Sequence, residues 1–268
     1  MRTFPTDEDV EQFKQRARTR QFTALDLDAF YKNPRLWRPR PKLIALCDAQ
    51  EFWQGVYDEL APEIGGRIIV PPAPPRLTVK QHKSVEKFQL LLVYIPALTE
   101  DRYPACFVKP DWCGNLKTAD VERKPLQGQW VAFETIKKPH WDDPIGYPDD
   151  RLATVLKLKS RFGVSWVDLK NGLLERVAKI TGFPKKGTRL CTVEEWNFVA
   201  NLINWLREHR GMDLPDLGST RSWEWCENSC DASGWLIVGR SGHGGLAAVD
   251  YDWHDGRDGL GFRVLFVL

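Results

Sequence analysis

Long apolar runs are missing from this chain of 268 residues. A helix that crosses a membrane needs about 20 mostly apolar residues, and no run in the sequence approaches that length. The first residues, MRTFPTDEDVEQF, are too polar for the apolar core of a secretory signal peptide. We therefore expect no membrane contact and no signal peptide. The cytoplasm is the default location, with a virion or a cell surface as open alternatives.

Motifs for metal binding are missing as well. The six cysteines, at 47, 106, 113, 191, 226 and 230, include no CxxC pair, and the five histidines, at 82, 140, 209, 243 and 254, show no HxxxH spacing. Zinc sites use ligands at such short spacings. The sequence therefore predicts no metal and no cofactor. Buried thiols are the default for a reducing compartment, and a bond between Cys226 and Cys230 stays open.

An excess of charge of one sign is also lacking. The net charge is only +2, and the basic residues between 14 and 40 alternate with acidic residues between 7 and 28. Such mixing is typical of a solvated helical face, whereas proteins that bind phosphate backbones carry a basic surplus. We therefore expect no nucleic-acid partner.

The residues that are present predict a folded domain with both helices and strands. Apolar residues at helical spacing indicate helices over 6–20, 43–60, 168–183 and 192–210, the last with a capping box of Thr192 and Glu195. The helix over 168–183 is expected to end at Gly182. Short runs rich in branched residues predict strands at 89–97, 129–136, 235–238 and 262–268. Twelve tryptophans, most of them expected in the core, can pack an irregular fold.

Four motifs follow one another in the C-terminal part: GVSWVDL at 163–169, TRLCTVEEWNFVANLINWL at 188–206, SWEWCEN at 222–228 and GFRV at 261–264. In this order they resemble signature segments of the formylglycine-generating (sulfatase-modifying) enzyme family. The resemblance implies an irregular, loop-rich α+β fold of the C-type lectin type. It also implies that four residues are structural and hold the loops together: Trp196, Trp223, Trp225 and Arg263.

This resemblance also gives an expected domain organisation. A lectin-type domain would cover residues 126–268, and residues 1–125 would be an N-terminal accessory region, which is either separate or integrated with that domain. The oxidising members of the family carry a reactive cysteine pair just before the closing GFR, where a thiolate is the metal ligand and redox group. Residues 231–262 contain no cysteine, and the five histidines do not form the triad of the iron-dependent sulfoxide-synthase relatives. We therefore expect a protein that is not an enzyme.

The end of the chain lacks four amino acids. Residues 228–268 contain no Lys, Glu, Gln or Met, although the first 227 residues contain 43 of them. At that frequency the last 41 residues would hold about eight. Every codon for these four amino acids ends in a purine. Codons that end in a pyrimidine, with their adenines randomised, can encode Gly, Ala, Ser, Asp, His, Tyr, Arg, Leu and Val, which make up most of this segment, but none of the four missing amino acids.

This composition resembles the variable region of the target proteins of diversity-generating retroelements. In that family a C-terminal segment of a C-type lectin fold is diversified by adenine-directed mutagenesis and displays a ligand-binding surface. The resemblance implies a variable region at about 228–268. Trp235 and Trp253, whose codon ends in a purine, would then be fixed scaffold. The candidate ligand-binding residues are Asp231, Ser233, Arg240, Ser241, His243, Asp250, Tyr251, Asp252, His254, Asp255 and Arg257.

Our hypothesis is a non-catalytic protein that binds an unidentified protein or surface ligand. Tyr, His and Arg would supply contact area, and Ser, Gly and Asp adaptable contacts, as in a paratope. The candidate side chains are expected to cluster on one exposed face. Three alternatives stay open: a degenerate enzyme of the formylglycine-generating type, an adaptor or binding module without diversification, and a glycine-rich loop domain whose composition arose by chance.

Overall fold

The computed structural model describes residues 46–72, 76–112, 116, 121–139, 147, 149–218, 220, 222–230, 234–239, 248–252 and 259–268. They form a mixed α+β fold with two β-sheets and long connections, which agrees with the expected α+β class. The predicted helix over 6–20 lies outside the described residues. No helix in the described part of the chain is long and apolar enough to span a membrane.

The α-helices of the described residues are α1 (Leu46–Ile64), α2 (Val79–Lys87), α3 (Arg151–Leu156), α4 (Trp166–Asp168), α5 (Leu174–Thr181) and α6 (Val193–Arg210). The helices predicted over 43–60 and 192–210 are confirmed in α1 and α6. The helices α2 and α3 were not predicted, although both have a side-chain cap. Thr78 and Gln81 form a capping box at α2, and the Asp150 carboxylate accepts a hydrogen bond from Ala153 N at α3.

The helix predicted over 168–183 is interrupted. A π-helical turn, Leu169–Leu173, joins α4 to α5, and inside it Gly172 has a φ of 137°, which no regular helix contains. Only glycine adopts this conformation without steric cost, so the helix bends at Gly172. The predicted end at Gly182 is confirmed, because Gly182 caps α5 in the left-handed conformation with a φ of 81°.

The β-strands are β1 (Leu90–Ile95), β2 (Asp111–Trp112), β3 (Gln129–Glu134), β4 (Thr188–Leu190), β5 (Trp223–Cys230), β6 (Gly234–Val238), β7 (Ala248–Asp252), β8 (Leu260–Phe262) and β9 (Val264–Val267). The four predicted strands are confirmed in β1, β3, β6 and β9. One sheet has the order β1-β3-β9-β4, and the other has the order β2-β7-β6-β5-β8. The pairs β2–β7 and β5–β8 are parallel, and all the other pairs are antiparallel.

Both sheets are covered by hydrophobic cores on two sides. Successive residues of a strand point to opposite sides of its sheet. In the five-stranded sheet, Leu236 and Val238 join the core that contains α1 and α6, whereas Ile237 joins the core that contains Trp225 and α5. We call these two sides the α6 face and the Trp225 face of the five-stranded sheet.

The described part of the accessory region belongs to the same fold. Strand β1 pairs along its whole length with β3, and β2 pairs with β7. From α1, Trp53 Nε1 donates a hydrogen bond of 2.7 Å to Leu92 O, and Tyr57 Oη donates one of 2.5 Å to Tyr94 O. The described residues before position 126 therefore pair and pack with those after it.

Candidate ligand-binding surface

The candidate ligand-binding residues belong to strands β5 to β7 and their connections. Strand β5 ends at Cys230 and β6 begins at Gly234, and these two residues pair at one end of the sheet. Strand β7 is antiparallel to β6, with Asp252 opposite Trp235, so β7 ends at the same place. We call this the hairpin end. The connection from β6 to β7 leaves the opposite end.

The strand directions divide the candidate residues into two groups. Asp231 and Ser233 precede β6 and are attached at the hairpin end, and His254, Asp255 and Arg257 follow β7 there. Arg240, Ser241 and His243 follow β6 and are attached at the opposite end. The five residues of β6 separate the two ends by about 13 Å. The strand directions therefore attach these segments at two opposite ends of the sheet. Their closeness in the sequence did not predict this separation.

Three of the candidate residues lie in β7. Asp250 is half-buried, and Asp252 is buried with 5% of its surface exposed, in contrast to the exposed position that we expected for it. The reason is its place in the sheet, since Asp252 pairs with Trp235 of the central strand β6. Tyr251 is described only as a backbone position of β7. The other candidates lie outside the described residues: Asp231, Ser233, Arg240, Ser241, His243, His254, Asp255 and Arg257.

Part of the accessory region reaches the hairpin end. Strand β2 runs parallel to β7, with Trp112 opposite Val249, and therefore points toward the hairpin end. The chain then returns in the other direction, because Val121 forms an antiparallel bridge with Cys230 and Glu122 N donates to Ser229 O. The hairpin end is therefore bordered by residues from both sides of the expected boundary at 125.

The four residues that were expected to be structural are all buried. Trp196, Trp225 and Arg263 have at most 1% of their surface exposed, and Trp223 has 9%. Trp225 Nε1 donates a hydrogen bond of 2.9 Å to Val164 O, which connects β5 to the segment before α4. Trp235 is half-buried and stacks on Trp166. Trp253 lies outside the described residues.

Arg263 joins the two sheets. It is the single residue between β8 of one sheet and β9 of the other. Its guanidinium donates to both carboxylate oxygens of Glu224 on β5, at 2.8 and 3.0 Å, and to the carbonyls of Glu134 and Ile136, at 2.6 and 3.0 Å. A buried arginine is tolerated only when its donors are satisfied, and here two carbonyls and one carboxylate satisfy them.

Glu224 is the centre of this buried network. Its carboxylate also accepts hydrogen bonds from Trp196 Nε1, at 2.7 Å, and from Tyr147 Oη, at 2.8 Å. Burial alone raises the pKa of Glu224, but the charges of Arg263 and Lys138 outweigh it and lower the pKa to about 2. Glu224 is therefore an anion that the protein interior fully pairs.

Lys138 contacts the backbone of Gly239, the residue that follows β6. It is completely buried, and its Nζ donates to Ser222 O, at 2.9 Å, and to Gly239 O. Burial lowers the pKa of Lys138 to about 7. Gly239 has a φ of 93°, and a Cβ at this position would lie 2.5 Å from the Trp196 ring. Lys138 and Trp196 therefore fix the backbone from which Arg240, Ser241 and His243 continue.

A second buried network lies beside the first. Arg161, 1% exposed, donates to both oxygens of Glu134, at 2.8 and 2.9 Å, and to both oxygens of Asp150, at 2.8 and 2.6 Å. The same Glu134 carboxylate accepts a hydrogen bond from Val264 N. The strands β3 and β9 and the start of α3 are thus connected through one arginine.

Sequence reasoning missed Lys138, Glu134, Asp150 and Arg161. A charged side chain is expected on the surface, and nothing in the local pattern distinguishes these four from solvated residues. Glu224 did have a signal, because it lies between two tryptophans of one strand, and an acidic residue flanked in this way is a candidate for burial. The signal identifies the residue but not its partner Arg263, which is 39 positions away.

The cysteine chemistry agrees with a structural role. Burial raises the pKa values of Cys191 and Cys226, which keeps both thiols protonated at neutral pH. Cys226 and Cys230 both lie on β5, and no disulfide bond joins them in the structure. Among the described residues, no three His, Cys, Asp or Glu side chains are grouped so that they could hold a metal ion.

Comparisons of the chain with protein-family models, with curated proteins and with solved structures give no match.

Proposed function

We propose that this chain is a non-catalytic ligand-binding protein whose C-terminal part displays a diversified surface on a C-type lectin scaffold of the formylglycine-generating type. The observation that carries the proposal is the absence of Lys, Glu, Gln and Met from residues 228–268. Randomising the adenines of codons that end in a pyrimidine cannot produce any of these four amino acids, so such diversification would leave this absence. The ligand would be a protein or another surface ligand.

Contacts among the motifs support the proposed scaffold. Trp196 of the EEW motif, Glu224 of the WEWCEN motif and Arg263 of the GFRV motif meet in one hydrogen-bonded network. The fourth motif joins them through Val164, whose carbonyl accepts from Trp225 Nε1. Segments that are separate in the sequence therefore form one structural unit, and their resemblance to a single family is consistent with this unit.

The division between fixed and variable positions supports display. The strands are held by buried ion pairs and by apolar side chains such as Leu236 and Val249, both at most 1% exposed. The candidate ligand-binding residues belong to β7 or follow the strand ends in the sequence. A rigid framework with changeable side chains at its loops is the general design of a binding scaffold.

A pair of libraries tests the proposal. The first randomises the candidate positions 240, 241, 243, 250, 251, 254, 255 and 257 among small and polar residues, and it omits Asp252 because that residue is buried. The second, matched library randomises the buried positions 236, 237, 238 and 249 in the same strands. We expect thermal melts of the first library to stay close to the parent, since surface changes usually alter stability by about 0.5 kcal/mol or less. The second should be mostly unfolded.

Two results would contradict the proposal. If the first library is unfolded as often as the second, the segment is a structural glycine-rich loop and not a display surface. If the purified chain oxidises a cysteine-containing sulfatase-type peptide, with or without copper, the enzyme alternative takes first place. The neighbouring DNA offers a further test, since diversification needs a reverse transcriptase gene and a template repeat that differs from codons 228–268 mainly at adenines.

A further inference from the structure

Three helices with basic outer sides cover the core that contains Trp225. Helices α2, α3 and α5 lie in the segments 79–88, 149–161 and 174–187, whose apolar residues, such as Val177, enter that core. These segments carry ten exposed Lys or Arg and three exposed Asp or Glu, a net charge of +7, whereas the whole chain has +2. We call the exposed side of the three segments the basic surface.

Hydrogen bonds between the helices show that their basic residues share one surface. Lys80 Nζ of α2 donates to Lys179 O of α5 at 2.7 Å, and Arg151 Nη1 of α3 donates to Lys87 O of α2 at 3.3 Å. Arg176 Nη2 of α5 donates to the carbonyl of the last residue of α3 at 2.8 Å. Each helix therefore contacts the other two, with a basic residue at every junction. Like charges gathered in this way repel one another, and a polyanionic partner would relieve the repulsion.

Few carboxylates compensate the basic surface. Among the described residues, Lys185 with Glu175 is its only ion pair. The buried network of Arg161 beneath it adds one net negative charge, and the undescribed segment 140–146, which precedes α3, contains two aspartates. Counting all of these still leaves a net charge of +4. The undescribed residues together carry a net charge of +2, so as a whole they add no acidic excess.

The residue types of the basic surface favour the phosphates of a double helix. The only aromatic residues in its fully described segments, Phe88 and Phe183, are buried, whereas single-strand binders stack bases on exposed rings. Helices that bind membranes insert Trp, Phe or Leu, and the only large apolar side chain exposed in these segments is Val79. Lysine, which supplies eight of the ten exposed basic residues, is depleted in protein–protein interfaces. Contacts of Lys and Arg with phosphates, in contrast, supply most of the nonspecific binding to nucleic acids.

We propose that the basic surface binds the phosphate backbone of a double-stranded nucleic acid without regard to sequence. The inference goes beyond the proposed function and does not depend on it, because the basic surface lies outside residues 228–268. The expectation of no nucleic-acid partner used the charge of the whole chain. In that total the basic surface is cancelled, since the other described residues carry a net charge of −7.

Titration of labelled duplexes with the full chain, followed by fluorescence anisotropy, tests the proposal. The probes are a DNA duplex and an RNA duplex of about two helical turns each. We expect micromolar binding at low salt, a linear fall of log K with log salt concentration, and equal affinities for two unrelated sequences. Tighter binding of either duplex than of a single strand of the same length supports the proposal. Tighter binding of the single strand, or of vesicles of phosphatidylserine and phosphatidylcholine, would overturn it.

Two double variants that remove the same charge provide a matched comparison. Lys83→Gln/Lys179→Gln changes two exposed lysines of the basic surface, and Arg102→Gln/Lys109→Gln changes two exposed basic residues outside its segments. The first should weaken duplex binding about tenfold or more and make the slope of log K against log salt shallower by about two. The second should leave the slope unchanged, and thermal melts check that both variants stay folded. Absence of binding at low salt, or equal effects of the two variants, would overturn the proposal.

Discussion

Helix α6 and the C-terminal segment 228–268 use polar residues in opposite ways. Burial is continuous in α6 from Val193 to Ile203, yet this stretch contains Glu194, Glu195, Asn197 and Asn201. Each has a defined hydrogen-bond partner. Glu194 accepts a hydrogen bond from Lys124 N, and Glu195 accepts hydrogen bonds from Thr192 N and from Arg189. Asn197 and Asn201 both donate to Val108 O. The predicted stripe of apolar residues is buried, but so is the opposite side of the helix.

In the described part of the C-terminal segment the buried charged residues are Arg263 and Asp252, and the segment's other charged residues lie in β7 or between the strands in the sequence. In these two regions a polar residue is therefore either held by several specific hydrogen-bond partners or placed where few contacts constrain its side chain. Substitutions should therefore fall into two groups, with large effects in the buried networks and small effects at the candidate ligand-binding positions.

The largest effect is expected from Arg263→Leu. It leaves the Glu224 carboxylate buried without its main partner, and breaking a buried ion pair from one side costs roughly 3–5 kcal/mol. Denaturant unfolding measures the loss. In the double variant Arg263→Leu/Glu224→Leu no uncompensated acidic charge remains, so the loss should be smaller than the sum of the two single losses. Strict additivity would show that the pair is not energetically coupled.

A loss of similar size, about 3–5 kcal/mol, is expected from Trp225→Ala. The side chain is 1% exposed, so truncation leaves a cavity between β5 and α5 and removes the hydrogen bond to Val164 O. Soluble expression and thermal melts measure the effect. Trp225→Phe keeps most of the volume and should be tolerated better. A fully stable alanine variant would contradict the role of Trp225 in the scaffold.

An intermediate effect should appear as a pH dependence that Lys138 causes. Its pKa is about 7 in the folded protein and near 10.4 in an unfolded chain, so between these values the unfolded chain binds one proton more. The free energy of unfolding should therefore rise with pH from about 7 to 10, by at most about 1.4 kcal/mol per pH unit, and show no Lys138-dependent slope below 7. Comparison with Lys138→Met isolates this contribution, and identical pH profiles would exclude it.

The smallest of these effects is expected from Thr192→Ala, at about 1 kcal/mol. The Thr192 hydroxyl accepts a hydrogen bond from Glu195 N at 3.1 Å and so caps α6. Thr192→Ser keeps the hydroxyl and should restore most of the stability in chemical denaturation. An alanine variant as stable as the parent would mean that burial of α6 alone fixes where the helix begins.

The elements that local patterns specify were predicted well. The capping box of Thr192 and Glu195, the helix end at Gly182 and the strands β1, β3, β6 and β9 each depend on residues within a few positions of one another. The capping box of Thr78 and Gln81 carried the same kind of signal for α2 and was missed. The interruption at Gly172 could not be located, since glycine is tolerated within helices and only the packing of α4 and α5 decides where it bends.

The candidate site was predicted less completely, because it depends on how strands are ordered. Asp252 has the residue type expected of a ligand contact, but it is buried at its position in β7 opposite Trp235 of β6. The segments at 231–233 and 240–243 are close in the sequence, and the direction of β6 attaches them at opposite ends of the sheet. The contribution of residues 111–122 to the hairpin end has no local signal, since it arises from pairing with β7 and β5.

By itself the sequence determined the mixed α+β class, most helices and strands, and the composition of the segment 228–268. Each of these follows from residue type and from short-range periodicity, which act within one turn of a helix or along one strand. Only the tertiary structure decided that Arg263, Glu224 and Lys138 pair in the core, and that Trp166 stacks on Trp235. A buried charge is stable only with a partner, and here the partners come from distant parts of the chain that meet when the two sheets assemble.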